Sequence, residues 1–102
     1  MRQMDLQLIA TALSDPTRFR AFELICSCET ITSQALAEIL GLSPATVSHH
    51  LHQLRVASLI ESARSGRWRL HKVRRQTLAA YVEALAALGN LDDRPKQEPA
   101  RS

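Results

Sequence analysis

Apolar residues recur every three or four positions through most of the chain, the spacing that places them on one face of an α-helix. Between residues 59 and 73 the spacing changes to an alternation of apolar and polar residues, as expected for half-buried strands. The pattern therefore predicts helices at 3–13, 16–28, 32–41, 44–56 and 75–88, and strands at 59–63 and 67–73.

Polar residues followed by proline mark two of the predicted helix starts. Asp15 and Ser43 can each accept a hydrogen bond from free backbone N–H groups, and the proline after each suits the first helical position. Gly41 ends the third predicted helix, where a positive φ is commonly required. Only Gly41, Leu42 and the cap Ser43 separate the third and fourth helices, so the two must cross steeply, as in a helix-turn-helix.

The order of helix, tight turn, helix and hairpin predicts the fold class. A short loop of residues 64–66 joins the two strands, and Gly66 can supply a left-handed position there. The predicted fold is mainly α with a small β-hairpin, a winged helix-turn-helix with about five helices and a two-stranded wing. The expected partner of such a fold is double-stranded DNA.

The fourth predicted helix has one apolar face and one small, polar face. Val47, Leu51 and Leu54 share the inner face at i, i+4 and i+7. The outer face carries small and hydrogen-bonding side chains and almost no charge, which suits a helix that enters the major groove. An ordinary solvent-facing helix more often carries Glu and Lys. The residues predicted to contact DNA, on this helix and on the wing, are Ser43, Ala45, Thr46, Ser48, His49, His50, His52, Gln53, Arg64, Arg67 and Arg69.

Basic residues concentrate around the predicted hairpin. Residues 41–75 contain seven basic residues and one acid, Glu61, so this segment carries a formal charge of +6 while the whole chain carries +3. Arg64 and Arg67 fall at the predicted tip of the wing, where they can reach the DNA backbone or the minor groove. A hairpin whose charges serve only solubility is the alternative interpretation.

The length of 102 residues predicts a single domain. Residues 1–89 are predicted to form the DNA-binding and dimerisation domain, and residues 90–102, polar with two prolines, a disordered tail. No apolar run approaches the roughly 20 residues that span a bilayer, and the first residues lack the pattern of a secretory signal. We therefore expect no membrane association and a cytoplasmic location. The titratable residues form no catalytic constellation, so we expect neither enzymatic activity nor a cofactor.

Two cysteines, Cys26 and Cys28, are the candidate sensor. They are too few for a disulfide scaffold, which favours a reducing compartment. Their thiols could bind a soft metal or become oxidised, and either change could release DNA. Residues i and i+2 of a regular helix point to roughly opposite sides, so chelation would require unwinding. In the alternative interpretation Cys26 packs as a small apolar residue and Cys28 is a loop thiol.

Three histidines crowd the fourth predicted helix. His49 and His52 share a face and could bind a metal ion, but this face is also the one that must approach DNA. DNA contact is the favoured interpretation, and we predict no metal site. His50 is expected at the edge of the buried face, where it supports the helix or reaches a phosphate.

The fifth predicted helix exposes more apolar surface than a three-helix core and one hairpin can cover. An exposed patch of that size usually marks an interface. We therefore predict a homodimer whose two DNA-binding units lie about one DNA turn apart on a palindromic site. The predicted interface residues are Leu6, Ile9, Leu78, Val82, Leu85 and Leu88.

Residues 6–88 resemble the ArsR/SmtB family of bacterial winged-helix repressors. The segment LSDPTRFR at 13–20 is similar to the start of that family's second helix, and LAEILGLS at 36–43 with TVSHHL at 46–51 is similar to its DNA-binding unit. Leu54-Arg55, then Leu59-Ile60 and GRW at 66–68, are similar to its wing and the approach to it. The resemblance implies a homodimer built from the first and last helices, an inverted-repeat operator, and release of DNA on binding a metal ion or on thiol oxidation.

Several positions depart from that family's pattern. Ser58 stands where the family usually has Gly, and His71 replaces its usual Tyr. The thiols of the family's arsenic-type site align with Thr32, Gln34 and Ala37, none of which binds a soft metal. The arsenic-type site is therefore missing from the sequence.

The zinc-type site of that family, along its last helix, is missing as well. Glu83 is the one potential ligand in the corresponding stretch. The sequence therefore does not name the inducing signal. A winged helix that binds proteins instead of DNA is the alternative function; such a module would carry an acidic or apolar recognition helix, and this chain carries neither.

Overall fold

The chain folds as helices that pack on a small antiparallel sheet. The computed structural model describes residues 5–90. In chain order its elements are α1 (Leu6–Leu13), α2 (Pro16–Cys26), β1 (Ile31–Thr32), α3 (Ser33–Leu40), α4 (Pro44–Val56), β2 (Ile60–Ser65), β3 (Trp68–Val73) and α5 (Arg75–Leu88). The predicted fold class, a mainly α winged helix-turn-helix, is confirmed. Residues 3 and 4 of the predicted first helix, and all of the predicted tail beyond residue 90, lie outside the described residues.

The capping residues set the helix starts where the sequence predicts them. Asp15 Oδ2 accepts a hydrogen bond from Arg18 N at 2.8 Å, and Ser43 Oγ accepts one from Thr46 N at 3.2 Å. Gly41 ends α3 with a φ of 68°, in the left-handed region. These signals confine the connection between α3 and α4 to residues 41–43, which fixes the helix-turn-helix.

The wing belongs to a three-stranded sheet in the order β1–β3–β2. Residues 60–65 of β2 pair with residues 68–73 of β3, so the turn consists of Gly66 and Arg67 instead of the predicted residues 64–66. Gly66 has the predicted positive φ, at 62°. The strands extend further towards the tip than the pattern indicates, because backbone pairing continues where the side chains no longer alternate.

β1 joins the helix-turn-helix to the wing, and the hydrophobic pattern does not predict it. Ile31 pairs with His71, and Thr32 pairs with Leu70. A strand of two residues shows no periodicity, so only the position of its partner strand defines it. Its consequence is that α3 begins immediately beside β3.

The hydrophobic core lies where α1, α2, α3 and α4 meet the base of the sheet. The side chains that are fully enclosed are Ile9, Ile25, Leu36, Leu54, Leu59 and His71. α5 contributes no buried residue, although Leu78 and Tyr81 pack against the edge of the core. Among residues 5–90, no helix is both long enough and apolar enough to cross a bilayer.

Ser58 adopts a left-handed backbone conformation directly after α4, with a φ of 62°. Leu59 N donates to Leu54 O at 3.0 Å, the long backbone bond that closes a helix end of this type. A side chain in this conformation costs about 1–2 kcal/mol per residue, which glycine avoids. Ser58 therefore stores strain at the turn that leads into the wing.

Candidate nucleic-acid interface

The outer face of α4 is exposed along its whole length. Val47, Leu51 and Leu54 point into the core, as predicted. The predicted contact residues on the opposite face that are exposed are Ala45, Thr46, Ser48, His49 and His52. Their side chains are small or can donate and accept hydrogen bonds, so this face fits the floor of a major groove without a charged or bulky obstruction.

His50 departs from the predicted set, because the structure buries it. Its side chain is 9% exposed and lies with the inner residues of α4. Burial, and next the charge of Arg18, lower the pKa of His50. This burial favours the first of the two predicted roles of His50, support of α4 within the fold, over a contact with DNA.

Two further predicted residues differ from the others in their surroundings. The hydroxyl of Ser43 caps α4 and also lies 3.0 Å from Thr46 Oγ1. Gln53 is half-buried. Both lie beside the exposed face of α4, and Ser43 lies at the end of the helix that would enter the major groove of DNA first.

Three exposed arginines cluster at the tip of the wing. Arg64 and Arg69 are direct cross-strand partners, and Arg67 occupies the turn. The guanidinium of Arg67 lies 5.2 Å from the centre of the Trp68 ring, within range of a cation–π contact. Two cations placed opposite each other repel, which costs stability in the free protein and is relieved when an anion binds.

The recognition face of α4 and the wing open onto one groove. This groove, of about 510 Å³, is lined by residues from α3, α4 and the wing, among them Gln34, Ser48, Arg67 and Arg69. A rod-shaped anion that touches Ser48 on α4 can therefore also touch the wing arginines. The structure thus brings three of the predicted DNA contacts, Ser48, Arg67 and Arg69, together on one surface.

One acidic residue, Glu38, lines the groove, but the arginines of the wing tip take part in no ion pair within residues 5–90. Among residues 5–90 the ion pairs are Arg20–Glu23 at 3.8 Å and Lys72–Glu61 at 3.9 Å, both exposed. Neither pair includes Arg64, Arg67 or Arg69, so within the described part of the chain the charges of the wing tip are not neutralised. Exposed pairs of this kind contribute little to stability, so their main effect is on the surface potential.

A buried polar bridge, which the sequence does not reveal, lies beneath the groove. His71 is 1% exposed, and its Nε2 and Nδ1 atoms lie 2.7 Å from Ser33 Oγ and 2.7 Å from Ser62 Oγ. Arg55 Nη1 donates to Ser62 Oγ at 3.4 Å. Burial, and then the charges of Arg55 and Arg69, lower the pKa of His71 to about 4. The sequence signals only that His71 departs from the family pattern, and the separation of 38 residues between Ser33 and His71 conceals the contact.

The two cysteines open onto different grooves. Cys26 lines an apolar groove between α2 and α5, whereas Cys28 lines one beside Arg74 and Arg75. Both thiols are unpaired, and burial raises the pKa of Cys26, which disfavours its reactive thiolate form. Within residues 5–90, no three His, Cys, Asp or Glu side chains gather as a metal-binding group. This arrangement gives no support to joint chelation by the two thiols, and their sensing role stays a prediction.

The predicted dimer surface is partly exposed and partly not. Val82, Leu85 and Leu88 of α5 are 57%, 45% and 69% exposed, and Leu6 and Leu78 are half-buried. Ile9 is 1% exposed, because it packs inside the core of its own subunit. Ile9 is therefore not available as an interface residue, and this part of the prediction is wrong.

The comparisons with known proteins agree with this geometry. A family model described as a helix-turn-helix domain matches residues 13–63, half of the chain. No curated protein matches the chain in sequence. Solved structures match a larger share of the chain than the family model does.

Three solved structures with similar folds are informative. An ArsR-like transcriptional regulator from Rhodococcus sp. RHA1 is 26% identical, with a TM-score of 0.75 over 82% of this chain and 78% of that chain. A second ArsR family transcriptional regulator is 26% identical, with a TM-score of 0.76 over 88% and 93%. The homodimeric winged helix-turn-helix DNA-binding domain of a possible ArsR-family regulator from Mycobacterium bovis is 18% identical, with a TM-score of 0.68 over 91% and 87%.

Proposed function

Because the chain belongs to the helix-turn-helix domain family and has an ArsR/SmtB-like winged-helix fold, we propose that it is a transcriptional regulator that binds duplex DNA. The observation that carries this proposal is the shared groove. Ser48 of α4 and the wing residues Arg67 and Arg69 line it together, and no ion pair within residues 5–90 neutralises those arginines. A cytoplasmic location is part of the proposal, because its DNA partner is there.

The exposed face of α4 and the wing have different tasks. Thr46, Ser48, His49 and His52 contact base edges in the major groove, because they are exposed on one face of α4 and can donate or accept hydrogen bonds. The wing arginines contact phosphates or the minor groove, which holds the protein in register without specifying sequence. The exposed Ala45 lets the helix approach closely, and Ser43 and Gln53 flank the contact.

The regulator acts as a homodimer on an operator with inverted repeats. The exposed apolar residues of α5 would otherwise remain in water, and a second copy of the same helix is their natural cover. The M. bovis domain with the same fold is homodimeric. Two recognition helices about 34 Å apart would then enter successive major grooves on one side of the duplex.

Repression by occupying the operator is the proposed mode of action, because the ArsR/SmtB family that the chain resembles consists of repressors. Release of DNA by a metal ion or by thiol oxidation at Cys26 and Cys28 is a separate hypothesis. Operator affinity of reduced, oxidised and Cys28→Ser protein tests it, and three equal affinities would end it.

Fluorescence anisotropy with a labelled random duplex tests DNA binding. We expect binding at low salt that weakens steeply as salt rises, because each phosphate contact releases counterions. Arg67→Ala should weaken binding to all duplexes about equally and reduce the slope of log affinity against log salt by about 1. Arg20→Ala, which removes an exposed arginine of α2, is the matched control and should leave the slope unchanged. Wild-type protein that does not bind at low salt would refute the proposal and favour a protein-interaction module.

A further inference from the structure

We infer that His71 is a positioning residue that holds the wing at a fixed angle to the helix-turn-helix. Its imidazole does this by bridging Ser33 at the start of α3 and Ser62 on β2. The consequence for DNA binding rests on the proposed function, whereas the mechanical role of the bridge does not.

The bridge links all the elements that form the groove. His71 lies on β3, Ser33 is the first residue of α3, and Ser62 lies on β2 directly opposite His71. Arg55, in the last turn of α4, extends the chain of contacts to Ser62. One buried side chain therefore connects the recognition helix, the helix before it and both long strands of the wing.

The backbone alone leaves the wing a way to pivot. The body of the protein pairs with β3 only through the two residues of β1, while residues 64–69 extend beyond that pairing as a two-stranded hairpin. A two-residue ladder is a short hinge line, about which a hairpin can rotate. The contact between Ser33 and His71 adds a side-chain attachment at the end of this ladder, and the contact of His71 with Ser62 ties β2 to the same place, so that the two contacts together oppose the rotation.

The chemistry of the bridge makes it costly to open. A neutral imidazole has one donor and one acceptor nitrogen, and each lies next to a hydroxyl that can take either role. Arg55 can only donate, so Ser62 Oγ accepts from it and can donate its own proton to His71 Nδ1, which leaves Nε2–H to donate to Ser33. Because His71 is 1% exposed, water cannot replace a broken bond without entering the core.

The wing must be held in place for its arginines to act together with α4. Ser48 of α4 and Arg67 of the wing line the same groove, so a rotation of the hairpin would separate them while each segment stayed folded. Loss of the bridge should therefore remove the contribution of the wing to binding and leave the contribution of α4. That selective loss distinguishes positioning from general stability.

Trp68 provides a test of the mechanical role that needs no DNA. It is the only tryptophan of the chain, and it lines a groove with Thr32, Gln34 and Ala35, so its surroundings depend on the angle between the wing and α3. In Ser33→Ala protein we expect Trp68 to become more accessible to acrylamide and its fluorescence anisotropy to fall. Val73→Ala is the control, because Val73 is a buried neighbour on the same strand that takes no part in the bridge. Equal Trp68 signals in wild-type, Ser33→Ala and Val73→Ala proteins would overturn the inference.

A double-mutant cycle on a labelled duplex tests the consequence for binding. Arg67→Ala should weaken binding roughly tenfold in the wild-type background, as expected for a charge-assisted contact. In the Ser33→Ala background the same change should weaken binding less than about twofold, because the wing no longer reaches the duplex. In the Val73→Ala background the tenfold loss should remain.

The two tests separate the failure of this inference from that of the proposed function. If wild-type protein binds no duplex, the proposed function fails, and the Trp68 measurement still decides whether the bridge orders the wing. If wild-type protein binds duplex and Arg67→Ala has the same effect with and without Ser33, the positioning role is refuted. Ser33→Ala is preferred to a change at His71 because Ser33 is only half-buried and Thr32 caps α3, so the variant should fold.

Discussion

The imidazole of His71 is neutral in the folded protein, because burial and two nearby arginines lower its pKa from 6.5 to about 4. In the unfolded chain the same group titrates near its ordinary value. Between these two pKa values the unfolded chain binds the additional proton, so the free energy of unfolding falls as the pH drops from about 6.5 towards about 4. One pKa unit corresponds to about 1.4 kcal/mol, so the loss between neutral pH and about pH 5 should be about 2 kcal/mol.

Urea unfolding at neutral pH and near pH 5 measures this loss. In His71→Gln protein the drop in unfolding free energy should be smaller than in wild type, because the titrating group is gone. Part of the drop should persist, because burial also lowers the pKa of His50. His52→Gln is the control, since His52 is exposed and is not among the groups that shift the pKa of His71 or His50, so it should leave the acid sensitivity as it is. A full drop in His71→Gln protein would show that His71 does not cause it.

Ser58 supports a second prediction at the residue scale. Its φ of 62° favours glycine, so Ser58→Gly should raise the free energy of unfolding. The relief of strain exceeds the extra entropy of glycine in the unfolded chain, which leaves a net gain of about 0.5–1 kcal/mol. Thermal unfolding measures it, with Ser27→Gly as the control. Ser27 ends α2 with a φ of −81°, so glycine there should bring no gain. If Ser58→Gly stabilises no more than Ser27→Gly, the backbone at Ser58 is not strained.

At the scale of single elements, the sequence predicts the features that depend on residues close together along the chain. The helix starts at Pro16 and Pro44 and the glycine at the end of α3 were predictable, because each depends on residues within one turn of it. β1 was not predictable, because its two residues become a strand only when they meet β3. The bridge from Ser33 to His71 could not be predicted from the sequence for the same reason, because it joins residues that are distant along the chain.

The limit of periodicity also shows in residues near the edge of a helix face. From the sequence, Ile9 is assigned to the dimer interface and His50 to the edge of a buried face, yet both are enclosed within one chain. Helical spacing tells which residues share a face, but the extent of each face that is covered depends on how closely neighbouring helices pack. α1 and α2 cover more of α4 than the sequence of α4 alone could indicate.

The recognition helix supports a prediction about specificity. His52 is exposed on the outer face of α4 and can form hydrogen bonds with base edges, so His52→Ala should change which sequences bind best. Arg67→Ala, which removes a proposed contact to the DNA backbone, should instead weaken binding to all sequences about equally. Selection from a randomised duplex library, with both variants beside wild type, measures the difference. A uniform loss of affinity in His52→Ala protein would show that His52 does not contact bases.

At the scale of the whole molecule, the exposed apolar face of α5 is the feature that bears on whether the regulator is a monomer or a dimer. Leu85 is 45% exposed on a helix with no buried residue, in line with the exposed Val82 and Leu88. If this apolar face is the dimer contact, Leu85→Glu would bury a carboxylate on each side of a two-fold axis, where the two charges would also repel. We expect the dissociation constant of the dimer to rise roughly a hundredfold or more, which corresponds to about 3 kcal/mol.

Sedimentation velocity over a range of protein concentrations measures this change. Glu83→Gln is the matched control, because Glu83 is exposed on the same helix and lies about 200° around its axis from Leu85. The control should sediment as wild type does, while Leu85→Glu should shift to the monomer. The monomeric variant should also bind an inverted-repeat operator much more weakly, because the second half-site no longer adds to the affinity of the first. Wild-type protein that is monomeric at micromolar concentration would show that no stable dimer forms through α5. Leu85→Glu protein that remains dimeric would show that the dimer contact lies elsewhere, because pairing through the apolar face of α5 could not tolerate two buried carboxylates.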